Sequence, residues 1–339
     1  MDTFLIICFG ELMLRMNPPS GLRFIQSKSL EINIAGAEAN VSVLLSQLGV
    51  PARYLSRIPE NDLALLALQE LRKYGVDASE IIKGGERMAL YFIEHGNHVR
   101  SSQVIYDRAH SSFASLKKGM ISWEKALKGG SVFHWSGVAA ALSQSAAEAC
   151  LEAIEAARLQ GLKICSDFNY RKTLWKYGKQ PAEIMPPLLA YSDIAVADLD
   201  AVKVYFGIET DEGLSFEARF QDCYQQLLLK MPGLKTLGMS FRKVKGLTHE
   251  YSAALAHEGD FFYSAVHEVP YITDQVGSGD AFTGGMLAAM AKGLHPQEIV
   301  DWAAACGILK QSIHGDWALI REEEVIHFIN NGANSKINR

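Results

Sequence analysis

Apolar positions along the chain follow two alternating rhythms. Short apolar runs at 5–9, 53–58, 131–135, 162–168, 193–197 and 234–240 read as buried strands. Between them, apolar residues recur every three or four positions, as on one face of a helix. Val41, Leu44, Leu45 and Leu48 form such a face, closed by Gly49. A second helix opens at Pro59-Glu60-Asn61-Asp62, runs to about Tyr74 and stops at Gly75. Ser145 and Glu148 read as a capping box for a third, through Arg158, with Gly161 beyond it. Phe282, Met286 and Met290 recur every four residues among alanines, and a further helix spans 296–310. Strands alternating with helices predict a parallel, doubly wound sheet.

Two regions break the rhythm. Residues 88–94 and 99–105 alternate with period two around His95-Gly96-Asn97-His98, which reads as a tight hairpin turn. Residues 24–34 can also pair as strands. A hairpin inserted in an α/β chain predicts a small β lid over the active edge of the sheet. Residues 251–255 and 261–266 read as antiparallel edge strands, and 330–339 as a polar tail. His95 and His98 read as solvated turn residues, because no third metal ligand accompanies them.

The 339 residues are 48% apolar, enough for a substantial core. A net charge of -5 and a pI near 6.1 exclude a nucleic-acid-binding surface. Five scattered cysteines, never spaced Cys-x-x-Cys, read as small core residues in a reducing compartment. The N-terminus lacks a basic region, and no apolar stretch approaches the roughly 20 residues of a membrane span. A cytoplasmic protein without a membrane partner is the expectation.

The candidate chemistry sits where the strand end at Thr273 passes through Gly277-Ser278-Gly279 into a helix. Glycines permit tight turns, and the N–H groups of a first helical turn offer an anion site. Asp280 stands in that field, where a carboxylate stays ionised at neutral pH and can accept a proton. An anion cradle beside a base points to phosphoryl transfer to a hydroxyl group, although a bare Gly-x-Gly-Asp also fits an ordinary capped helix. Phe282 at the third glycine position excludes a dinucleotide fingerprint, and no Walker A loop is present.

The longer string Asp274-x-x-Gly277-x-Gly279-Asp280-x-Phe282-x-x-Gly285 resembles the C-terminal signature of the ribokinase-like (PfkB) carbohydrate kinases. Ser278 stands where alanine is commoner in that family. Gly36 and Asn40 match its N-terminal Gly-x-x-x-Asn sugar motif. The resemblance covers residues 3–330 and implies a three-layer α/β/α sandwich in one domain over 1–330, with a β lid from about 11–35 and 86–110. It implies Asp280 as catalytic base, Gly277, Ser278 and Gly279 as the anion hole, and ATP with Mg2+ as cosubstrate and metal.

Tyr91, the run Tyr106-Asp107-Arg108, and Asp167-Phe168-Asn169-Tyr170-Arg171 followed by Leu174-Trp175 resemble a narrower group, the 2-keto-3-deoxygluconate kinases. That likeness implies sugar-acid contacts from Gly36, Asn40, Tyr91, Tyr106, Arg108, Asn169 and Arg171. Two arginines suit a carboxylated substrate, for which guanidinium is a bidentate partner. Asp316, 36 residues past Asp280, either bonds the substrate or turns the chain. Ser240, Arg242, Gly246 and Ala304 stand where nucleotide contacts fall, and 240–246 is basic where relatives are glycine-rich.

Relatives carry Asn-x-x-Glu where this chain has Ala197 and Asp200, so Asp200 either orients a water on magnesium or caps a helix. A fructokinase-like activity and a sugar-acid sensor on the same fold are the competing readings. Lid edge strands invite pairing between subunits, giving a homodimer as the expected assembly.

Overall fold

The computed structural model describes residues 4–96, 100–245 and 248–332. Its strands are β1 (Leu5–Phe9), β2 (Met13–Asn17), β3 (Glu31–Ala35), β4 (Ala52–Leu55), β5 (Arg57–Ile58), β6 (Ile82–Lys83), β7 (Ala89–Glu94) and β8 (Gln103–Asp107). They continue as β9 (Gly130–Ser136), β10 (Lys163–Asp167), β11 (Ile194–Val196), β12 (Thr236–Lys245), β13 (Thr248–His257), β14 (Asp260–Tyr263) and β15 (His267–Val269). The main sheet runs β14-β13-β12-β11-β10-β9-β1-β4, with β15 on β13. From β4 to β12 every pairing is parallel, whereas β13, β14 and β15 join antiparallel.

Alternation along β1 builds both faces of the sheet at once. Ile6 and Cys8 enter a core shared with helices Ala37–Gln47, Asp62–Lys73, Ser278–Ala291, Pro296–Lys310 and Glu322–Asn331. Ile7 and Phe9 enter the opposite core, beneath helices Gln144–Leu159, Pro181–Leu189, Leu199–Phe206 and Phe216–Lys230. The result is the ribokinase-like three-layer α/β/α sandwich. A second, four-stranded sheet, β3-β2-β7-β8, forms the lid. Its inner face packs Met13, Ala35, Ala89, Tyr91 and Ile93 together, with Tyr106 and Val276 against them.

Several boundaries differ from the sequence reading. The run 53–58 is two strands, because Arg57–Ile58 leaves the main sheet to pair with β6. Residues 24–26 form a 3-10 turn, so only Glu31–Ala35 of the expected 24–34 is strand. Ser143, not Ser145, caps the helix Gln144–Leu159, accepting from the Ala146 N–H at 3.1 Å. The expected basic loop at 243–245 is strand, since β12 and β13 form a long hairpin ladder reaching Lys245↔Thr248. Asn97 and His98 of the lid corner, and 333–339 of the polar tail, lie outside the described residues.

All five cysteines are buried and unpaired with one another. No helix among the described residues is long and apolar enough to cross a membrane.

Candidate active site

The carboxyl ends of the parallel strands and the inner face of the lid enclose a cleft of about 370 Å³. In open α/β sheets the crevice at this edge is where ligands bind, since the loops there diverge around the reversal of strand order. The reversal falls at β1, whose neighbours are β4 and β9.

Gly277 caps the helix Ser278–Ala291 in the left-handed conformation, with φ 80°. A Cβ there would also collide with the Asp316 main-chain oxygen, so only glycine fits. Among the described residues the N–H groups of Gly277, Gly279 and Asp280 make no hydrogen bond within the chain, whereas Ser278 N–H reaches Gln275 O at 3.3 Å. Three free donors therefore face the cleft at the positive end of a 14-residue helix. Gly285 of the same signature serves packing, because a Cβ there would press on Cys306 and Trp302 of the neighbouring helix.

Asp280 is held from across the cleft. Asn40 Nδ2 donates to Asp280 Oδ2 at 2.6 Å, which leaves Asn40 Oδ1 buried without a donor. Burial pushes the Asp280 carboxyl up to about 6, against the pull of the Asn40 hydrogen bond and the Arg171 charge. It remains ionised at neutral pH, although burial outweighs the stabilising field that the sequence suggested.

Gly36 precedes Asn40 as the cap of helix Ala37–Gln47, with φ 149°. Gly36, Asn40, Tyr91, Tyr106, Arg108, Asn169, Arg171, Ser240, Arg242, Gly277, Ser278, Gly279, Asp280 and Asp316 all line the one cleft. Asn169 holds an unusual φ of 37°, and its Oδ1 is also buried without a donor. Arg171 is exposed at the mouth, with Nη1 on Tyr170 O at 2.9 Å.

Arg108, expected to contact the sugar acid, lines the cleft but already has a partner. It is buried, and its Nε donates to Glu11 Oε2 at 2.6 Å, while Ser111 satisfies the other Glu11 oxygen. Its two terminal nitrogens make no hydrogen bond among the described residues. Asp316 likewise has partners already: the Tyr91 hydroxyl lies 2.6 and 2.7 Å from its oxygens, and Arg15 Nη1 lies 3.0 Å from Oδ1.

Three candidates fall elsewhere. Ala304, on helix Pro296–Lys310, is buried in the core and does not line the cleft. Gly246 lies outside the described residues. Asp200 is exposed, because the helix Leu199–Phe206 starts one residue before it and turns it outward. Asp198, the cap of that helix, lines the cleft instead and accepts from Ala201 N–H at 2.7 Å. No cluster of three or more His, Cys, Asp or Glu among the described residues is arranged to hold a metal.

Three charged residues carried no assigned role in the sequence reading: Asp167, quoted there only within its motif, Glu38 and Arg15. Asp167 lines the cleft, bonded to Asn169 N–H and the Thr283 hydroxyl; burial and then the Asp280 charge push it up to about 8. Glu38 lies behind Asn40, accepts from Ser136 N–H and Oγ–H, and is pushed by burial up to about 7. Arg15 is wholly buried on β2. A charged residue inside the run Met13-Leu14-Arg15-Met16 was the available signal for it. His95, expected in solvent, is half-buried with Nε2 2.7 Å from Arg15 Nη2.

Residues 3–222 match the model of the pfkB family carbohydrate kinases. The chain belongs to that family. As a member it is a carbohydrate kinase, a phosphotransferase. It is 29% identical over 327 residues to 2-dehydro-3-deoxygalactonokinase of Haloferax volcanii, covering 96% of this chain and 97% of that protein. With 2-dehydro-3-deoxygluconokinase of Bacillus subtilis it shares 27% identity, over 91% of this chain and 90% of that one. The crystal structure of 2-dehydro-3-deoxygluconokinase from Thermotoga maritima superposes with a TM-score of 0.92 at 32% identity, covering 97% and 99% of the two chains. The family match ends before Gly277.

Proposed function

We propose that this pfkB carbohydrate kinase transfers the γ-phosphoryl group of ATP to the terminal hydroxyl of a 2-keto-3-deoxy sugar acid, as in 2-dehydro-3-deoxygluconokinase. The observation that carries the reading is the convergence of a held carboxylate, Asp280, with three free N–H donors and two arginines in one cleft.

Asp280 accepts the proton of the attacking hydroxyl. The N–H groups of Gly277, Gly279 and Asp280 stabilise the charge that spreads over the transferring phosphoryl oxygens. Arg108 and Arg171 hold the substrate carboxylate; Glu11 fixes the Arg108 guanidinium through Nε and leaves its terminal nitrogens for the ligand. The undonated Oδ1 atoms of Asn40 and Asn169 suit sugar hydroxyls, because a buried acceptor costs about 1–3 kcal/mol until a donor arrives. Ser240 and Arg242, which line the same cleft, are assigned to the nucleotide.

Magnesium fits as an ion brought by the nucleotide phosphates, which it neutralises, with one or two protein carboxylates at most. Asp198 and Asp167 are the carboxylates that the cleft offers for that role. A cytoplasmic setting suits five unpaired thiols. Ile32 and Ile105 are exposed on the two edge strands of the lid, β3 and β8, which supports dimerisation through the lid.

The test is ADP release with ATP, magnesium and four acceptors: 2-keto-3-deoxygluconate, its galactonate epimer, fructose and ribose. Selective turnover of a keto-deoxy acid supports the assignment. Turnover of fructose or ribose alone keeps the kinase and removes the sugar-acid role of the arginines.

A further inference from the structure

Arg15 joins the lid to the catalytic turn through buried charge. It projects from lid strand β2 beside Tyr91, its register partner on β7. Its Nη2 lies 2.7 Å from Asp274 Oδ2 and its Nη1 3.0 Å from Asp316 Oδ1, with all three side chains removed from solvent. Lysine and arginine are almost never fully buried without such pairing.

Asp274 is where the lid contact meets the anion hole. Its Oδ1 accepts from Val276 N–H at 3.0 Å, which shapes the turn one residue before Gly277. Its Oδ2 accepts from Gly315 N–H at 3.2 Å, which fixes the segment that carries Asp316. The Asp316 main chain in turn packs on Gly277 too closely to admit a Cβ. Below them Lys310, also fully buried, donates to Asp274 O at 3.3 Å and Ile313 O at 2.9 Å. Two cations and two carboxylates thus balance in a buried site, with the partly exposed His95 against Arg15 at its edge. Removing one partner from such a group leaves a charge uncompensated.

We propose that Arg15 is a positioning residue: by clamping Asp274 and Asp316 from the lid, it sets the geometry of the anion-hole turn and couples it to lid seating. Arg15 touches no reacting atom in this scheme. The proposal rests on the phosphoryl-transfer reading for its kinetic consequence, but its structural consequence can be measured without turnover.

The experiment compares wild type with Arg15→Lys and Arg15→Met by amide hydrogen exchange and by single-turnover kinetics. Both variants are expected to lose protection at Val276 and Gly315, the amides bonded to Asp274, while strand β10 exchanges as in wild type. A single ammonium cannot span both carboxylates, so Arg15→Lys recovers only part of the protection.

In Arg15→Met, turnover is expected to fall about 10- to 100-fold, the scale of an ångström misplacement in a catalytic site. The Michaelis constant for ATP stays within about twofold, since the loss falls on the transition state. Combining Arg15→Met with Asp274→Asn is expected to cost less than the sum of the single changes, because the two residues share a contact.

Unchanged protection at Val276 and Gly315 overturns the proposal, as does exchange that rises evenly through the whole molecule. Should Arg15→Met not fold, Arg15→Lys decides alone: full wild-type protection and turnover overturn the coupling. An inactive wild type rejects the proposed activity, while the exchange result still decides the clamp.

Discussion

Asn40 Nδ2 and Asp280 Oδ2 meet at 2.6 Å across 240 residues of chain, each from the first turn of a helix that starts at a glycine. The contact holds the carboxylate by one oxygen and leaves the other for the substrate proton that the proposed mechanism brings. It also opposes the desolvation that raises the Asp280 pKa. Position and basicity are therefore set by the same amide.

Asp280→Asn is expected to fold and to lose about 10²- to 10⁴-fold in turnover, the usual worth of a positioned general base. It should also melt higher. A carboxyl raised from 3.8 to about 6 in the folded state is destabilised when ionised, by roughly 3 kcal/mol above that pH. Thermal melts at pH 7.5 and ADP release check both arms. Near-normal turnover rejects the base, and an unchanged melting temperature rejects the buried charge.

Asn40→Ala removes the hydrogen bond that lowers the Asp280 pKa. The acid limb of turnover against pH, centred near 6 in wild type, is expected to move to higher pH. Fewer molecules then carry the ionised base at a given pH below the new midpoint. A pH–rate profile from 5 to 8 measures this, and a limb that stays in place assigns Asn40 to substrate contact alone.

Legibility followed the range of the interactions. The helix Pro296–Lys310 and strand Leu5–Phe9 were readable because their periodicity is local. The turn at Gly277 was readable because a left-handed cap demands glycine. Arg15, Glu38 and Asp167 were not, since each is defined by partners many residues away: Asp316, Ser136 and Thr283. Which of Asp198 and Asp200 lines the cleft was not legible, because the helix start between them fixes which acidic side chain turns towards it. Lys310 carried a faint signal. It stands three, four and seven positions after Gly307, Cys306 and Ala303, on the apolar face of its helix.

The two arginines separate by what else they hold. Arg171 is exposed, so Arg171→Ala is expected to raise the Michaelis constant for the sugar acid with little change in melting temperature. Arg108→Ala strips the partner from buried Glu11 and is expected to lower stability as well, by about 3–5 kcal/mol, the range for breaking a buried pair. Urea unfolding and kinetics on both variants test the split. Equal stability loss in the two rejects the structural role of Arg108, and an unchanged Michaelis constant in Arg171→Ala rejects its carboxylate contact.

Asp167 gives the cleft a stability that depends on pH in a definite direction. Its carboxyl is held neutral up to about 8 in the folded chain but ionises near 3.8 when unfolded. The folded state therefore binds the extra proton between those values, and stability falls as pH rises through that window. Below pH 6.5 the buried His134, lowered to about 4, contributes an opposite slope, because it must gain a proton on unfolding. Above 6.5 that opposition has ended, and Glu38, half-ionised near 7, adds a smaller decline that fades towards pH 8. Between pH 7 and 8 the decline belongs mainly to Asp167, with a slope approaching about 1.4 kcal/mol per pH unit. Asp167→Asn keeps an acceptor for Asn169 N–H and Thr283 and removes its titration, so the urea midpoint is expected to keep only the shallow slope from Glu38 over that interval. A wild-type midpoint that is already flat there, or a slope that survives undiminished in Asp167→Asn, rejects a neutral Asp167 in the empty cleft.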